Sequence, residues 1–116
     1  MASLEMEGPY KLDTETIETN VTRTSPGNYA LGEKNEEAKF LVGYVGRSDS
    51  DVGDRLKSWV DETKRSLFKF SYATSPKAAF EKECESYHDF NPPDNAAHPG
   101  RPDGSDWHCP RCDIFG

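Results

Sequence analysis

Hydrophobic and polar residues recur along the middle of the chain in patterns that predict three strands. Asn28–Leu31 is a short apolar run, and Phe40–Val45 is a second one that ends at Gly46, where the backbone can turn. The polar stretch 32–39 between them predicts a hairpin with a long loop. Leu67–Ala73 alternates apolar and polar side chains, as a strand with one buried face does.

Two helices are predicted by apolar spacing and by their start signals. The first covers about residues 51–64, and one of its faces carries Val52, Leu56, Trp59 and Val60. The second begins at Ser75-Pro76, an N-cap followed by proline at the first helical position, and extends to about Asp89. The order β-β-α-β-α predicts an α+β fold, with a three-stranded antiparallel sheet flanked by helices.

Two segments flank this module, which covers residues 26–90. Residues 1–25 are expected to form an N-terminal extension that is partly disordered or holds a short helix capped by Asp13 or Thr14. Residues 91–116 are rich in proline, glycine and aspartate, so they are predicted to be a loop region unless something holds them in place.

One glutamate of the second helix occupies an unusual position. On a helical wheel, Glu83 falls within the apolar stripe beside Ala79 and Phe80. A buried carboxylate is costly unless it is paired or binds a metal ion. An ion pair with Arg55 or a bound divalent cation would offset that cost, and the sequence leaves both open.

The cysteine and histidine positions predict a structural zinc site. Cys84 and His88 are four residues apart, so they lie on one side of the second helix. Cys109-Pro110-Arg111-Cys112 has the two-residue spacer of a zinc knuckle. Together they make a closed Cys3His site that would hold the tail against the helix. His98 and His108 are the alternatives to His88 as the fourth ligand.

Charge and composition narrow the class of protein. The chain has 116 residues, with 14 basic and 21 acidic groups and a net charge of −7, which argues against strong non-specific nucleic-acid binding. Three cysteines, an odd number, favour metal binding over a disulfide framework. The sequence shows no apolar run of membrane-span length and no secretion signal, so we expect a cytoplasmic protein without a membrane partner.

An ordered set of residues resembles the GIY-YIG nuclease superfamily. Gly27-Asn28-Tyr29 and Tyr44-Val45-Gly46 stand for the two tripeptides of the family name. Arg55 follows Gly46 by nine residues on the first helix, and Glu83 ends an Ala-x-x-x-Glu segment on the second. The resemblance covers roughly residues 26–90, and the β-β-α-β-α order is also that of the family.

The resemblance implies a metal-dependent endonuclease that cleaves phosphodiester bonds in DNA or, less readily, in RNA. Tyr29 is then expected to act as the general base or to help activate the attacking water, and Tyr44 to position that water or the phosphate. Arg55 would stabilise the charge that grows on the phosphoryl oxygens. Glu83 would hold one Mg²⁺ or Mn²⁺ ion.

The same resemblance implies that Gly46 and Arg47 bind phosphate. The substrate could be branched or damaged DNA, and a protein partner could supply the specificity. A second interpretation is a module that keeps the fold, has lost the chemistry and binds nucleic acid or protein. It is motivated by the acidic net charge and by Trp59, which stands where many members carry His or Tyr. A third is a metal-stabilised interaction domain.

Overall fold

The computed structural model describes residues 4–95, 98–100 and 104–112. Its elements are β1 (Glu7–Lys11), α1 (Thr14–Asn20), β2 (Gly27–Lys34), β3 (Phe40–Ser48), α2 (Val52–Lys57), β4 (Leu67–Tyr72) and α3 (Pro76–Phe90). All strand pairs are antiparallel, and the sheet order is β1-β4-β2-β3. The predicted α+β class is confirmed. The three-stranded sheet is wrong, because the described residues form four strands.

The additional strand lies in the segment that was expected to be an extension. β1 pairs with β4 at one edge of the sheet, with an irregular register between Glu7 and Tyr10. Its Gly8-Pro9 pair is typical of a loop, and proline inside a sheet is confined to edges and bulges. α1 follows, with Asp13 as its N-cap, and the Asp13 carboxylate accepts a hydrogen bond from the Thr16 amide at 2.7 Å.

The sheet has a helix layer on each face. Successive residues of a strand point to opposite faces, so Leu31 of β2 packs with α1 and α2, and Ala30 packs on the side of α3. The larger core lies on the α1–α2 face and includes the fully buried Ile17 and Leu56. No described helix is long and apolar enough to cross a membrane.

Several element boundaries differ from the prediction, and β2, for example, continues to Lys34 into the polar stretch that was predicted to be a loop. β3 does not stop at Gly46 but continues to Ser48, so Gly46 lies within a strand, opposite Tyr29. α2 ends at Lys57, earlier than predicted, because the amide of Trp59 bonds to the Leu56 carbonyl in a tighter turn. The predicted third strand corresponds to β4 and the predicted second helix to α3.

The segment after α3 covers the free edge of β3. Asn91 ends the helix in the left-handed conformation. The Asn95 side chain then pairs with both backbone groups of Val45, at 2.9 and 3.0 Å. The Asp94 amide bonds to the Gly43 carbonyl at 2.8 Å. Such a cover satisfies backbone groups that an edge strand would otherwise leave open to pairing with another chain.

Candidate catalytic pocket and metal cluster

A cavity of about 230 Å³ lies where β2 and β3 meet the helices α2 and α3. It is lined by Tyr29, Tyr44, Gly46, Arg47, Asp49, Arg55 and Glu83. These residues come from the neighbouring strands β2 and β3, from the loop after β3, from α2 and from α3. The structure therefore brings together all six residues that the resemblance marks as catalytic or phosphate-binding. Their chemical roles stay predictions.

Gly46 makes room for Tyr29. The two residues face each other across the β2–β3 pair. A Cβ atom at position 46 would overlap with the hydroxyl group and the outer ring carbon of Tyr29. A glycine is therefore required here by the close approach of a side chain, not by a turn. Gly46 was predicted to bind phosphate, and the contact that the structure shows for it is this steric one.

The Tyr29 hydroxyl accepts one hydrogen bond inside the pocket. Trp59 Nε1 donates to it at 2.7 Å. Burial raises the pKa of Tyr29 to about 12, although the Trp59 hydrogen bond and the positive charge of Arg55 act to lower it. Tyr29 is therefore a neutral phenol near pH 7. Sequence reasoning gave Trp59 no role at the site. The signal available was its place one helical turn after Arg55.

Tyr44 completes an aromatic wall. Its ring lies 4.9 Å from that of Trp59 and 6.3 Å from that of Tyr29, measured between centroids. Burial raises the pKa of the Tyr44 phenol, and the negative charge of Glu83 raises it further. Both tyrosines of the pocket thus present neutral hydroxyl groups near pH 7.

Glu83 is buried, as the helical wheel predicts, with only 8% of its surface exposed. Its ion-pair partner is Arg47, with 2.6 Å between Nη1 and Oε1, so the anticipated pair with Arg55 is replaced by another arginine. Burial raises the pKa of the Glu83 carboxyl, and the hydrogen bond from Arg47 opposes that rise. Asn28 of the first tripeptide helps to place α3, because its Nδ2 donates to the Ala79 carbonyl at 2.8 Å.

Arg47 is engaged at each of its three guanidinium nitrogens. Besides Glu83, Nε donates to the Asp49 carboxylate at 2.9 Å and Nη2 donates to the Gly100 carbonyl at 2.7 Å. The guanidinium lies over the ring of Phe80, 5.1 Å from its centroid. Sequence reasoning assigned Arg47 to phosphate binding, but here its donors are directed at the protein itself.

The metal cluster differs from the predicted set in one member. The ligand atoms of His88, His98, Cys109 and Cys112 all lie within 4.8 Å of one another, so this His2Cys2 group could hold a metal ion such as zinc. His98, weighed as an alternative to His88, joins the cluster beside it. Cys84 is not a member.

Hydrogen bonds orient the His98 ring and stabilise the thiolate form of Cys109 in the cluster. With Nδ1 protonated, His98 donates to the Pro99 carbonyl at 2.9 Å and leaves Nε2 free of a proton, 3.4 Å from the Cys112 sulfur. The Arg111 amide donates to the Cys109 sulfur at 3.4 Å. Burial raises the pKa of Cys109, but this hydrogen bond and those with neighbouring side chains outweigh it and bring the pKa to about 6.

Cys84 lies in the core beside the cluster. It is fully buried and packs with Phe80 and Cys109. Burial raises the pKa of its thiol, and a hydrogen bond with Cys109 raises it further, so Cys84 stays protonated. The prediction followed the i, i+4 spacing to His88. That spacing places two residues on one side of a helix without fixing which of them is buried.

Comparisons with known proteins found no similar protein. No protein-family model matches the chain, and the searches of curated proteins and of solved structures found no match either.

Proposed function

We propose that the chain is a metal-dependent endonuclease of the GIY-YIG type that cleaves DNA, with a structural zinc ion in the His2Cys2 cluster. One observation carries the proposal. Two tyrosines, a glycine, two arginines and a glutamate, chosen by motif from four separate stretches, line a single small cavity. A cytoplasmic location, and a protein partner that delivers the substrate, are parts of the same proposal.

The residues present fit a catalytic divalent cation. Mg²⁺ is commonly held by one or two carboxylates, with water and substrate phosphate completing its shell. Glu83 and Asp49 supply two carboxylates to the cavity, both hydrogen-bonded to Arg47. A bound Mg²⁺ or Mn²⁺ would act as a Lewis acid on the scissile phosphate and steady the leaving oxygen.

Arg55 and Tyr29 are suited to a phosphoryl group that gains negative charge. A phenolic oxygen has two lone pairs, and the Tyr29 oxygen accepts a hydrogen bond from Trp59 Nε1. The hydroxyl proton of Tyr29 is then free to be donated to a phosphoryl oxygen, beside the positive charge of Arg55. In this mechanism Tyr29 acts as a hydrogen-bond donor, and Tyr44 positions the attacking water.

A second cavity favours a substrate with an unpaired base. It has a volume of about 500 Å³, shares Tyr44 with the pocket and is also lined by Trp59. Aromatic walls suit stacking of a nucleobase. Three carboxylates and two cations also line this cavity, and Arg65 pairs with both Glu33 and Asp94, so little positive charge is left to attract a phosphate. A base extruded from branched or damaged DNA would fit here while its phosphate lies at Arg55.

The second candidate function is a nucleic-acid-binding module without catalysis. It is favoured by the neutral state of both tyrosines and by the engagement of Arg47 with the protein. It predicts DNA affinity that falls steeply with salt, without turnover. An interaction domain with no nucleic-acid role predicts no such affinity.

The test is cleavage of duplex, single-stranded and branched DNA with Mg²⁺ or Mn²⁺, by the parent, by Glu83→Ala and by Arg55→Ala. We expect the parent to cut at least one substrate and both variants to lose about 10²-fold or more in rate. Arg23→Met is the matched control and should retain activity, because this exposed arginine lies over the ring of Tyr72 and does not line the cavity. Salt-dependent binding without cleavage would favour the binding module, and cleavage that survives both substitutions would point to a contaminant.

A further inference from the structure

Arg47 joins the candidate catalytic pocket to the segment that carries a cluster ligand. One of its terminal nitrogens holds Glu83 at 2.6 Å, and the other holds the Gly100 carbonyl at 2.7 Å. Gly100 follows the cluster residue His98 by two positions. The side chains of Arg47 and Glu83 are only 13% and 9% exposed, so water competes weakly for the bond between them, whereas the bond to Gly100 is exposed.

The Gly100 carbonyl depends on the cluster for its position. His98 bonds to the Pro99 carbonyl, and Pro99 is itself buried. A second set of contacts connects the cluster to Arg47 through the core. The Arg47 guanidinium lies over Phe80, and Phe80 packs with Trp107 and with the cluster residue Cys109. Two sets of contacts therefore lead from the cluster to the same guanidinium.

We propose that Arg47 is a positioning residue through which metal loading of the His2Cys2 cluster fixes the orientation of Glu83. When the cluster is loaded, the segment 98–100 is held and Gly100 keeps Arg47 against Glu83. When the metal leaves, the ligands separate and the Gly100 carbonyl no longer holds the Arg47 guanidinium. Arg47 then no longer fixes the orientation of the Glu83 carboxylate. As far as catalysis is concerned, the inference rests on the proposed nuclease function.

Thermodynamic linkage makes the coupling measurable without any cleavage assay. If cluster loading favours the Arg47 arrangement, then that arrangement must favour cluster loading by the same factor. Zinc affinity of the full chain, measured by competition with a chelator, is therefore the first readout. We expect Arg47→Leu to bind zinc about 10-fold more weakly, since it loses one charged hydrogen bond to Gly100.

Two further variants control for misfolding and for the general loss of an arginine. Arg47→Leu leaves a buried carboxylate unpaired, so the double variant Arg47→Leu with Glu83→Leu replaces the ion pair by apolar side chains and should fold. It should show the same weakened zinc affinity. Arg23→Met, an exposed arginine stacked on Tyr72, is the matched control and should bind zinc as the parent does. Equal zinc affinity in the parent and the double variant would overturn the proposal, as would a parent that binds no zinc.

The second readout is Mn²⁺ binding at the pocket, followed by electron paramagnetic resonance. Zinc-loaded parent should bind Mn²⁺ more tightly than zinc-free parent, and Arg47→Lys, which cannot bridge both partners, should lose that difference. Mn²⁺ affinity independent of zinc would overturn the positioning role. No Mn²⁺ binding by the zinc-loaded parent would instead count against the nuclease proposal, and the zinc affinities would then decide the coupling alone.

Discussion

The candidate catalytic pocket and the His2Cys2 cluster differ in what fixes the positions of their residues. The pocket residues stand on paired strands and on capped helices, so backbone hydrogen bonds and the buried core fix their positions. The described residues after Asn95 form neither helix nor strand, and the cluster draws three of its four members from them. The pocket is therefore a product of folding, whereas in our proposal a bound metal ion holds the chain segments of the cluster together.

Metal removal should have the largest effect, and it should change hydrogen exchange in the cluster region but not in the strands of the pocket. His98→Ala or a strong chelator should remove the zinc and expose the described tail, 98–100 and 104–112, to hydrogen exchange, while β2 and β3 stay protected. Parent protein purified without chelator should contain close to one zinc per chain. Elemental analysis and exchange mass spectrometry provide both readouts.

The matched variant is Cys84→Ser, which alters the core but none of the four cluster residues. It should keep its zinc and lose about 1–3 kcal/mol of stability, because a polar hydroxyl replaces a buried thiol. Loss of zinc from Cys84→Ser together with retention by His98→Ala would restore the Cys3His set predicted from the sequence.

Alkaline pH should have the second largest effect, a loss of folding stability that originates at Tyr29 in the pocket. The pKa of Tyr29 is about 12 in the folded protein, against about 10 for a tyrosine exposed to water. The unfolded chain then loses its proton first, so stability falls as pH rises from 10 to 12, by up to about 2–3 kcal/mol. Denaturant unfolding across this range should show the fall, and Tyr29→Phe should remove most of it. An unchanged slope in that variant would contradict the assignment.

A methyl group at position 46 should disturb the pocket in a more limited way. Gly46→Ala places a Cβ atom into the Tyr29 hydroxyl, so we expect a loss of about 1–3 kcal/mol. Gly100→Ala is the control, because a Cβ atom there meets no other atom of the described structure within 4 Å. Thermal unfolding of both variants measures the difference. Equal stability would show that Tyr29 does not lie against Gly46.

The smallest effect is expected at the surface of the cluster. Arg111 pairs with Asp89 at 2.9 Å, but nearly half of its side chain is exposed. Arg111→Met should therefore cost less than about 1 kcal/mol and leave zinc content unchanged, since the backbone amide that bonds Cys109 remains. A larger loss, measured by denaturant unfolding, would mean that the cluster depends on its rim charges.

The sequence predicted the elements whose physical signals are local. Alternation identified β4, the Ser75-Pro76 pair identified the start of α3, and the apolar stripe placed Glu83 in the interior. β1 was missed because Gly8-Pro9 gives a local loop signal, whereas its pairing with β4 is a tertiary contact far along the chain.

It was harder to predict which residues of the site contact one another than to predict which residues belong to the site. Arg47 precedes Arg55 by only eight residues, and both line the pocket, so spacing could not tell which one pairs with Glu83. His98 lies in a stretch without periodicity, and only its place in space joins it to the knuckle. Motif order thus predicted which residues converge, while burial and packing decided which of them contact one another.

The most direct test of the central claim is single-turnover cleavage of a branched DNA by the zinc-loaded parent and by Glu83→Gln. Glutamine keeps the size of the side chain and removes the charge that a divalent cation needs. The account predicts Mg²⁺- or Mn²⁺-dependent cleavage by the parent and a loss of about 10²-fold or more in the variant, with zinc content retained. Equal cleavage by both proteins would contradict it.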